Sequence, residues 1–382
     1  MLSKEDFLLD PSTIFLNHGS FGALPRALFE EQQRWLERMD RQPVLFFRDA
    51  PELLRQARIA LGDYLGADAD DLVYVVNSTF GVNVVAQATR GMLKEGDEIL
   101  MTDHEYGACD RAWRYYHRDT GVNIVRASIP MPVPPYGDLA DIIWAGVTER
   151  TKVLFISHIT APSAILLPVK ELCRRARERG ILTIVDGSHI PGHMPLDLED
   201  IGADIYTANC HKWMCTPIGS AFLWIRRDVQ DRIGPLVVSW GWQAERPGIS
   251  RFIDEHEYLG TRDLTAFLTV PAAIRWMQSQ QWPTVLAISR SLREEGMRLL
   301  CAIPGIRPML TDADDDVLLM GAVILPDHVD PVAMQIHLYD HDRIEVVIHY
   351  WLGVPILRFS VHAHTSASDI EALAAAVRRY VA

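Results

Sequence analysis

The sequence predicts an α/β protein with a mostly parallel, doubly wound sheet and a smaller α+β domain at its C-terminal end. From about residue 52 to 240, short β-rich segments alternate with amphipathic helical segments, a pattern typical of parallel sheets. After about residue 265, a long helical segment precedes a second mixture of strands and helices. The strands predicted in the first region are Leu72–Val76, Glu98–Met101, Asn123–Ala127, Val153–Ser157, Leu182–Val185, Asp204–Thr207 and Ala221–Ile225.

The helices are predicted from their periodicity and their ends. Val169–Arg179 is amphipathic, begins after Pro168 and is followed by Gly180, a suitable residue just past a helix end. Residues 228–265, rich in Gly, Trp and Pro, are expected to form loops, and one long helix is expected over about 264–300. The C-terminal unit is predicted to contain strand Val317–Leu325, helix Pro331–Leu338, strands Arg343–Ile348 and Ile356–Val361, and helix Ala367–Val381.

These patterns divide the chain into three parts. Residues 1–30 are expected to be an arm of the small domain, residues 31–265 the large α/β domain, and residues 266–382 the small C-terminal domain. Ligands of doubly wound sheets bind at the carboxyl edge of the strands, so functional residues are expected at the strand ends.

Composition narrows the class of protein. A net charge of −13 disfavours a nucleic-acid partner, which needs a basic face. The five cysteines are scattered, with no CxxC pair that would indicate a zinc site or a disulfide framework. The first residues lack an apolar signal core, and no apolar run approaches the roughly 20 residues that span a bilayer. We therefore expect a soluble, cytoplasmic protein with no membrane partner.

Asp186 and Lys212 each follow a predicted strand. Asp186 lies in Val-Asp-Gly-Ser-His (185–189), where a buried acid needs a partner, although a helix N-cap is the commoner explanation. Lys212, between His211 and Trp213, comes just after the next strand and should meet Asp186 at one sheet edge. Partial burial would make its amine nucleophilic, whereas a lone lysine is more often simply exposed.

Two further segments follow earlier strands. Ser78 and Thr79 open a helix, where hydroxyls and free N–H groups can bind phosphate or merely cap the helix. His104 follows the next strand and could stack on a flat ligand, although such histidines are more often structural. Together the four signals supply the parts that pyridoxal phosphate (PLP) chemistry requires: a phosphate site, a ring contact, an acid for the ring nitrogen and a lysine for the aldehyde.

At this point the sequence resembles the class V aminotransferase superfamily of fold-type I PLP enzymes over nearly its whole length. Within it, the likeness is greatest to isopenicillin N epimerase and related cysteine desulfhydrases and C–S lyases. The segments that carry the resemblance are 15–22 (Phe-Leu-Asn-His-Gly-Ser-Phe-Gly), 103–106 (Asp-His-Glu-Tyr), 157–158 (Ser-His), 211–213 (His-Lys-Trp), 260–263 (Gly-Thr-Arg-Asp) and 357–360 (Leu-Arg-Phe-Ser).

The resemblance implies a role for each matched residue. Lys212 would bind the cofactor aldehyde and move the Cα proton, and His104 would stack on the ring. The other residues implied in cofactor binding are Ser78, Thr79 and His211 at the phosphate, Asp186 at the ring nitrogen, His189 near the ring hydroxyl, and Asn209 in place of a serine that commonly touches phosphate.

The resemblance also implies substrate and partner contacts. Arg358 would bind the α-carboxylate of an amino-acid substrate, and Asn17 and His158 would lie at the substrate. His158 stands where desulfurases usually carry Asn. Thr261 would reach the phosphate of a neighbouring subunit, which implies a homodimer with shared sites.

The outcome of the reaction stays open at this point. Epimerisation at Cα is the first expectation, with His158, His18 and Tyr106 as candidates for a second acid, and β-elimination or transamination are the alternatives. A persulfide-forming desulfurase is disfavoured because residues 340–353 contain no cysteine, and a cofactor-free sensor is disfavoured by the intact lysine, acid and arginine. No metal site is expected, since no third ligand accompanies His189 and His193, and Pro191 and Gly192 would break a helix between them.

Overall fold

The computed structural model describes residues 2–310 and 317–381. Its strands are β1 Ile14–Phe15, β2 Leu72–Val75, β3 Glu98–Thr102, β4 Asn123–Ala127, β5 Thr151–Ser157, β6 Leu182–Asp186, β7 Ile205–Asn209, β8 Ala221–Ile225, β9 Arg307–Pro308, β10 Met320–Ile324, β11 Ile344–Glu345, β12 Val347–Trp351 and β13 Val354–Ser360. Its α-helices are α1 Arg26–Arg41, α2 Pro43–Leu65, α3 Ser78–Thr89, α4 Gly107–His117, α5 Tyr136–Trp144, α6 Val169–Glu178, α7 Leu198–Ile201, α8 Arg251–Glu257, α9 Thr265–Leu268, α10 Val270–Ser279, α11 Trp282–Cys301, α12 Pro331–Asp342 and α13 Ala367–Val381.

The large sheet has seven strands in the order β2-β8-β7-β6-β5-β3-β4. All neighbouring pairs are parallel except those of β8, which runs antiparallel to β2 and β7. The predicted mostly parallel, doubly wound sheet is therefore confirmed, and each strand predicted in this region is present to within about two residues.

Helices cover the sheet because each of them buries one apolar face. In α6, Val169, Leu172, Cys173 and Ala176 recur at helical spacing and are buried against the core. Burying a side chain such as Leu172 stabilises the fold by roughly 1.5–3 kcal/mol. The helix ends where predicted, with Gly180 at φ +65°, a backbone conformation that favours glycine.

The C-terminal part of the chain forms a second sheet, in the order β12-β13-β10-β9, with α11, α12 and α13 packed around the same apolar core. The N-terminal arm joins this part, because β1 pairs in parallel with β11 and Asn17 bridges to Ser360. These pairings place the arm beside β13. The domain boundaries at residues 30 and 265 stay predictions.

Three predicted elements were wrong in detail. The single helix over 264–300 is instead α9, α10 and α11, because Pro271 and Pro283 lie in the first turns of two new helices, and Gln281 has φ +52° between them. Residues 228–265 are not all loops, since they include α8. The predicted strand Arg343–Ile348 is divided into β11 and β12.

Among the helices of the described residues, none combines the length and apolar composition that crossing a membrane requires.

Candidate active site

One cavity of about 430 Å³ lies at the carboxyl edge of the large sheet, where the arm and β13 close over it. This volume is within the usual range of small-molecule sites. Its walls come from residues 19–21 of the arm, 76–79 at the start of α3, the end of β6, the segment after β7, and β13. The predicted lysine, acid, phosphate-binding segment and substrate arginine thus meet in one place.

Lys212 extends into this cavity from the segment after β7. Its Nζ lies 3.3 Å from Nε2 of His189. Burial lowers the pKa of Lys212 to about 8, although nearby Asp186 opposes the shift. About a tenth of the amine is therefore neutral and nucleophilic at pH 7, far more than for an exposed lysine.

Asp186 ends β6 and is surrounded by hydrogen-bond donors. Its Oδ1 accepts from the backbone N–H of Ser188, at 3.0 Å, and from the Ser188 hydroxyl. Its Oδ2 lies 3.5 Å from Sγ of Cys109. Because every one of these contacts donates to Asp186, the surroundings suit an ionised carboxylate.

The start of α3 forms another wall. Oδ1 of Asn77 caps the helix by accepting from the N–H of Phe80 at 2.8 Å, so the cap is Asn77 and not Ser78 or Thr79. Thr79 lines the cavity, and its hydroxyl makes no hydrogen bond to another described residue. An anion placed here would meet the positive end of the helix dipole.

His211 faces the same region. Its Nδ1 lies 2.8 Å from the carbonyl oxygen of Ser220, so Nδ1 carries the proton and donates. Burial lowers the pKa of His211 to about 4, which leaves Nε2 as a lone pair towards the cavity. A bound phosphate would raise this pKa and favour the charged, donating form.

Arg358 closes the cavity from β13 and is buried. It donates to the carbonyl oxygen of Ala161, to Oδ1 of Asn17 at 3.2 Å and to the Ser20 hydroxyl at 2.8 Å. Among the described residues, no carboxylate lies within 4.0 Å of the guanidinium, and its Nε has no partner. Burial lowers the pKa of Arg358 to about 10, so a carboxylate ligand would relieve an uncompensated buried cation.

The sequence model of the family described as aminotransferase class-V matches residues 26–373. The chain belongs to the class-V aminotransferase family. It is 33% identical to isopenicillin N epimerase of Amycolatopsis lactamdurans over 98% of this chain and 97% of that protein. It is 29% identical to putative L-cysteine desulfhydrase 1 of Oryza sativa subsp. japonica over 86% of this chain and 74% of that protein.

Solved structures show the same fold. The cystine C–S lyase C-DES superimposes with a TM-score of 0.85 at 20% identity, over 97% of this chain and 99% of that chain. A variant of C-DES, with the same TM-score, has glycine covalently linked to its PLP cofactor. The class-V aminotransferase chain described here is a PLP-dependent enzyme.

The cavity of this class-V enzyme fits PLP and an amino acid. A nucleophilic amine matches the aldehyde, and a helix N-terminus with a free hydroxyl matches the phosphate. The carboxylate of Asp186, which only accepts hydrogen bonds, matches the protonated ring nitrogen of PLP. The unpaired Nε of Arg358 leaves donor capacity for a substrate carboxylate.

Four predicted site residues lie outside the cavity wall: His104, His158, Thr261 and Asn17. His104 is fully buried and its Nδ1 lies 2.7 Å from the Ser163 hydroxyl. His158 is also buried, with its Nδ1 2.9 Å from the Tyr206 hydroxyl. Thr261 is exposed on the surface. Asn17 touches the site indirectly, because it holds Arg358 and donates to Glu345 at 3.1 Å.

Sequence reasoning missed several polar residues of the wall as cofactor or substrate contacts, among them Tyr106, Ser188 and Ser20. Tyr106 immediately precedes α4 and faces the cavity, which His104 does not. Its position just after a strand could have indicated this, since every residue of the turn at a strand end is a candidate to line the ligand site. Ser188 and Ser20 are small polar residues with no distinctive spacing, and only the contacts described above reveal them.

A buried cluster of two histidines and one cysteine lies beside the site, and these are residue types that bind metal ions. Possible ligand atoms of His18, Cys215 and His362 lie within 4.8 Å of one another. The two imidazoles are stacked, with centroids 3.8 Å apart and planes 4° apart, so their lone pairs run parallel and do not converge on one ion. Nε2 of His18 lies 3.1 Å from the carbonyl oxygen of Lys212, which anchors the arm to the lysine segment.

Proposed function

We propose that this protein is an isopenicillin N epimerase-like enzyme, which inverts the Cα of an amino-acid substrate by moving its proton. The observation that carries the proposal is the meeting of Lys212, Asp186 and the carboxylate-free guanidinium of Arg358 in one cavity. The identity of 33% with an epimerase along almost the whole length of both chains supports this choice of reaction.

In this proposal the main polar residues of the cavity have distinct tasks. Bound PLP withdraws electrons from the substrate Cα, which acidifies the Cα proton. Lys212 would hold the aldehyde of the cofactor and would take up the proton that leaves Cα. Asp186 would pair with the protonated ring nitrogen, and Thr79, the start of α3 and His211 would bind the phosphate. Tyr106, which the wall contains, is a better candidate for the ring contact than His104.

Arg358 orients the substrate. Two of its nitrogens are held by Asn17, Ser20 and a carbonyl group, while Nε stays without a partner among the described residues. A substrate carboxylate would accept a charge-assisted hydrogen bond from this free Nε. Fixing the α-carboxylate would keep Cα within reach of Lys212.

The proposal is tested by washing deuterium into Cα. Amino acids incubated with the enzyme and PLP in D2O should gain deuterium at Cα and lose optical rotation. Lys212→Ala should lose both effects, whereas Lys170→Ala, which removes an exposed lysine paired with Asp200, should keep them. Absence of exchange with every amino acid tried, in an enzyme that binds PLP through Lys212, would reject epimerisation.

A β-eliminating C–S lyase is the second candidate. The desulfhydrase relative favours it, because the same Cα proton must leave before a thiol departs from Cβ. Release of pyruvate and sulfide from L-cysteine, without a change in the configuration of recovered substrate, would select this candidate. Accumulation of the amine form of the cofactor would instead indicate transamination.

A homodimer with shared sites belongs to the same proposal. The exposed apolar side chains of Val238 and Trp240 and the exposed Thr261 support it. Light scattering should give about twice the chain mass of 43.2 kDa. If Thr261 serves the neighbouring site, inactive Lys212→Ala and Thr261→Glu chains mixed in equal amounts should recover about a quarter of the activity.

A cytoplasmic location is also part of the proposal. The five cysteines form no disulfide in the described residues, and four of them are buried. Free thiols suit a reducing compartment. Fluorescence microscopy of the tagged chain in its source cells would test this location.

A further inference from the structure

We propose that Ser78 and Ser188 form a one-way chain of hydrogen-bond donors that ends at Asp186, so that Ser78 positions the acid and does not bind phosphate. The inference rests on the proposed PLP site. Of Ser78 and Thr79, only Thr79 would then contact the phosphate through its hydroxyl. Asn209 would have a positioning role.

The direction of donation along these hydrogen bonds follows first from the contacts between Ser78 and Asn209. The backbone N–H of Ser78 can only donate, and it lies 2.9 Å from Oδ1 of Asn209. This contact fixes the orientation of the Asn209 amide, because a flipped amide would set two donors against each other. Nδ2 of Asn209 then faces the Ser78 hydroxyl, at 2.9 Å, and must donate to it.

The end of the chain requires the same direction. The carboxylate of Asp186 can only accept, so the Ser188 hydroxyl donates its single proton to Oδ1. The oxygens of Ser78 and Ser188 are 2.5 Å apart. Since Ser188 has no proton left, Ser78 must be the donor in this contact. Reasoning from either end therefore gives the order Asn209, Ser78, Ser188, Asp186.

This order uses up the donor capacity of Ser78. Its hydroxyl proton goes to Ser188 and its N–H goes to Asn209, so neither can serve a phosphate oxygen. The Thr79 hydroxyl lines the same cavity and makes no hydrogen bond to another described residue. A phosphate at this helix start would therefore take its hydroxyl donor from Thr79.

This series of hydrogen bonds also links two other elements, β7 and α3, to the acid at the end of β6. Asn209 ends β7, Ser78 begins α3, and Asp186 ends β6. Donors aimed at a carboxylate stabilise its charged form, and polarised hydroxyls in series strengthen one another. We infer that removing either serine changes the state of the ring nitrogen more than it changes the affinity for phosphate.

The test compares Ser78→Ala, Ser188→Ala and Thr79→Val by two measurements. The first is the dissociation constant of the apoenzyme for inorganic phosphate and for PLP, measured by calorimetry and fluorescence. Thr79→Val should weaken both by about tenfold, the usual value of a hydrogen bond to a charged group. Ser78→Ala and Ser188→Ala should weaken them less than about threefold.

The second measurement is the 15N chemical shift of the ring nitrogen in PLP labelled with 15N. It should move towards the unprotonated value in Ser78→Ala and Ser188→Ala and stay unchanged in Thr79→Val. Ser188→Thr, which keeps a hydroxyl, should restore the signal, and Ser279→Ala serves as a control for loss of a remote hydroxyl. Thermal unfolding of each variant shows that a lost signal is not a loss of fold.

The outcomes separate the inference from the proposed function. If Ser78→Ala weakens binding of inorganic phosphate as much as Thr79→Val does, Ser78 is a phosphate ligand and the proposed series of hydrogen bonds is wrong. If the wild-type enzyme does not capture PLP through Lys212, the proposed function fails, and the phosphate measurements still decide between the two hydroxyls.

Discussion

The indole N–H of Trp213 donates to Nδ1 of His189 over 3.2 Å, and this contact decides which nitrogen of the imidazole carries the proton. An indole can only donate, so Nδ1 holds the lone pair and Nε2 holds the proton. Nε2 faces Nζ of Lys212 at 3.3 Å. A proton there suits a neutral amine, which accepts, and disfavours an ammonium group, which only donates.

We expect Trp213→Phe to raise the pKa of Lys212. Without the indole, the proton of His189 can move to Nδ1, and Nε2 can accept from the ammonium form of the lysine. One hydrogen bond to a charged group is worth about 1.5 kcal/mol, or about one pH unit. The rate at which the apoenzyme captures PLP, followed by absorbance from pH 6 to 10, should therefore reach its midpoint about one unit higher.

Trp113→Phe is the matched control for this prediction. Trp113 is a fully buried indole whose N–H has no partner among the described residues; it packs on Phe155 and does not line the cavity. Its loss should leave the midpoint unchanged. A midpoint that is the same in a folded Trp213→Phe variant as in the wild type would contradict the argument from the tautomer.

Arg358→Lys should mainly raise KM for the amino-acid substrate. Lysine cannot reproduce the planar donor pattern that holds Asn17, Ser20 and a carboxylate at once. Loss of one charged hydrogen bond predicts an increase of about tenfold or more in KM, with a smaller change in kcat. Arg174→Lys, at an exposed arginine paired with Glu171, is the control for steady-state kinetics. A fall in kcat at constant KM would instead place Arg358 in the chemical step.

Gly22→Ala should release the arm from the lysine segment. A Cβ at Gly22 would lie 2.2 Å from the carbonyl oxygen of Lys212 and 2.4 Å from that of His211, so the backbone must shift. Overpacking of this kind costs about 1–3 kcal/mol. We expect weaker PLP binding, measured by fluorescence titration, and a lower free energy of unfolding in urea. Gly234→Ala, where a Cβ meets no atom within 4 Å, should change neither quantity.

The main sheet and the meeting of Asp186 with Lys212 could both be predicted from the pattern of apolar strands. The strands could be recognised by their continuous apolar runs. Asp186 ends β6 and Lys212 follows β7, and these two strands proved to be neighbours. Parallel neighbours bring their carboxyl ends together, so their meeting could be predicted from order alone. Arg358 could not be found in this way, because it lies in the middle of β13 and its role came only from the resemblance.

Directions of side chains were the part that sequence reasoning could not supply. Ser157 ends β5 in the cavity wall, so the next residue, His158, points to the opposite face and bonds to Tyr206. In the turn after β3, the buried Glu105 bonds to Thr102 and Ser157, which fixes the turn with Tyr106 towards the cavity. Such long-range contacts determine which of two adjacent residues faces the cavity. The local sequence pattern alone does not distinguish the two.

Glu105 is a buried acid on which this turn depends. One carboxyl oxygen accepts from the Thr102 hydroxyl at 2.7 Å, and the other accepts from the N–H and hydroxyl of Ser157 at 2.9 and 2.6 Å. Burial raises its pKa from 4.5 to about 7, helped by the charge of Asp186 and opposed by the hydroxyl donors. It therefore titrates in the folded enzyme near neutral pH.

Glu105→Gln should make stability less dependent on pH. Between pH 4.5 and about 7 the unfolded chain has an ionised Glu105 while the folded chain keeps the proton. The stabilisation from this group is therefore complete below pH 4.5 and is lost as the pH rises through 7, by about 3 kcal/mol in total. Glutamine cannot ionise, so urea unfolding at pH 5 and pH 8 should show the variant gaining relative to the wild type at the higher pH. The exposed Glu149→Gln controls for loss of a charge. An equal difference between Glu105→Gln and the wild type at both pH values would show that Glu105 has the same charge in the folded and unfolded chains over this range.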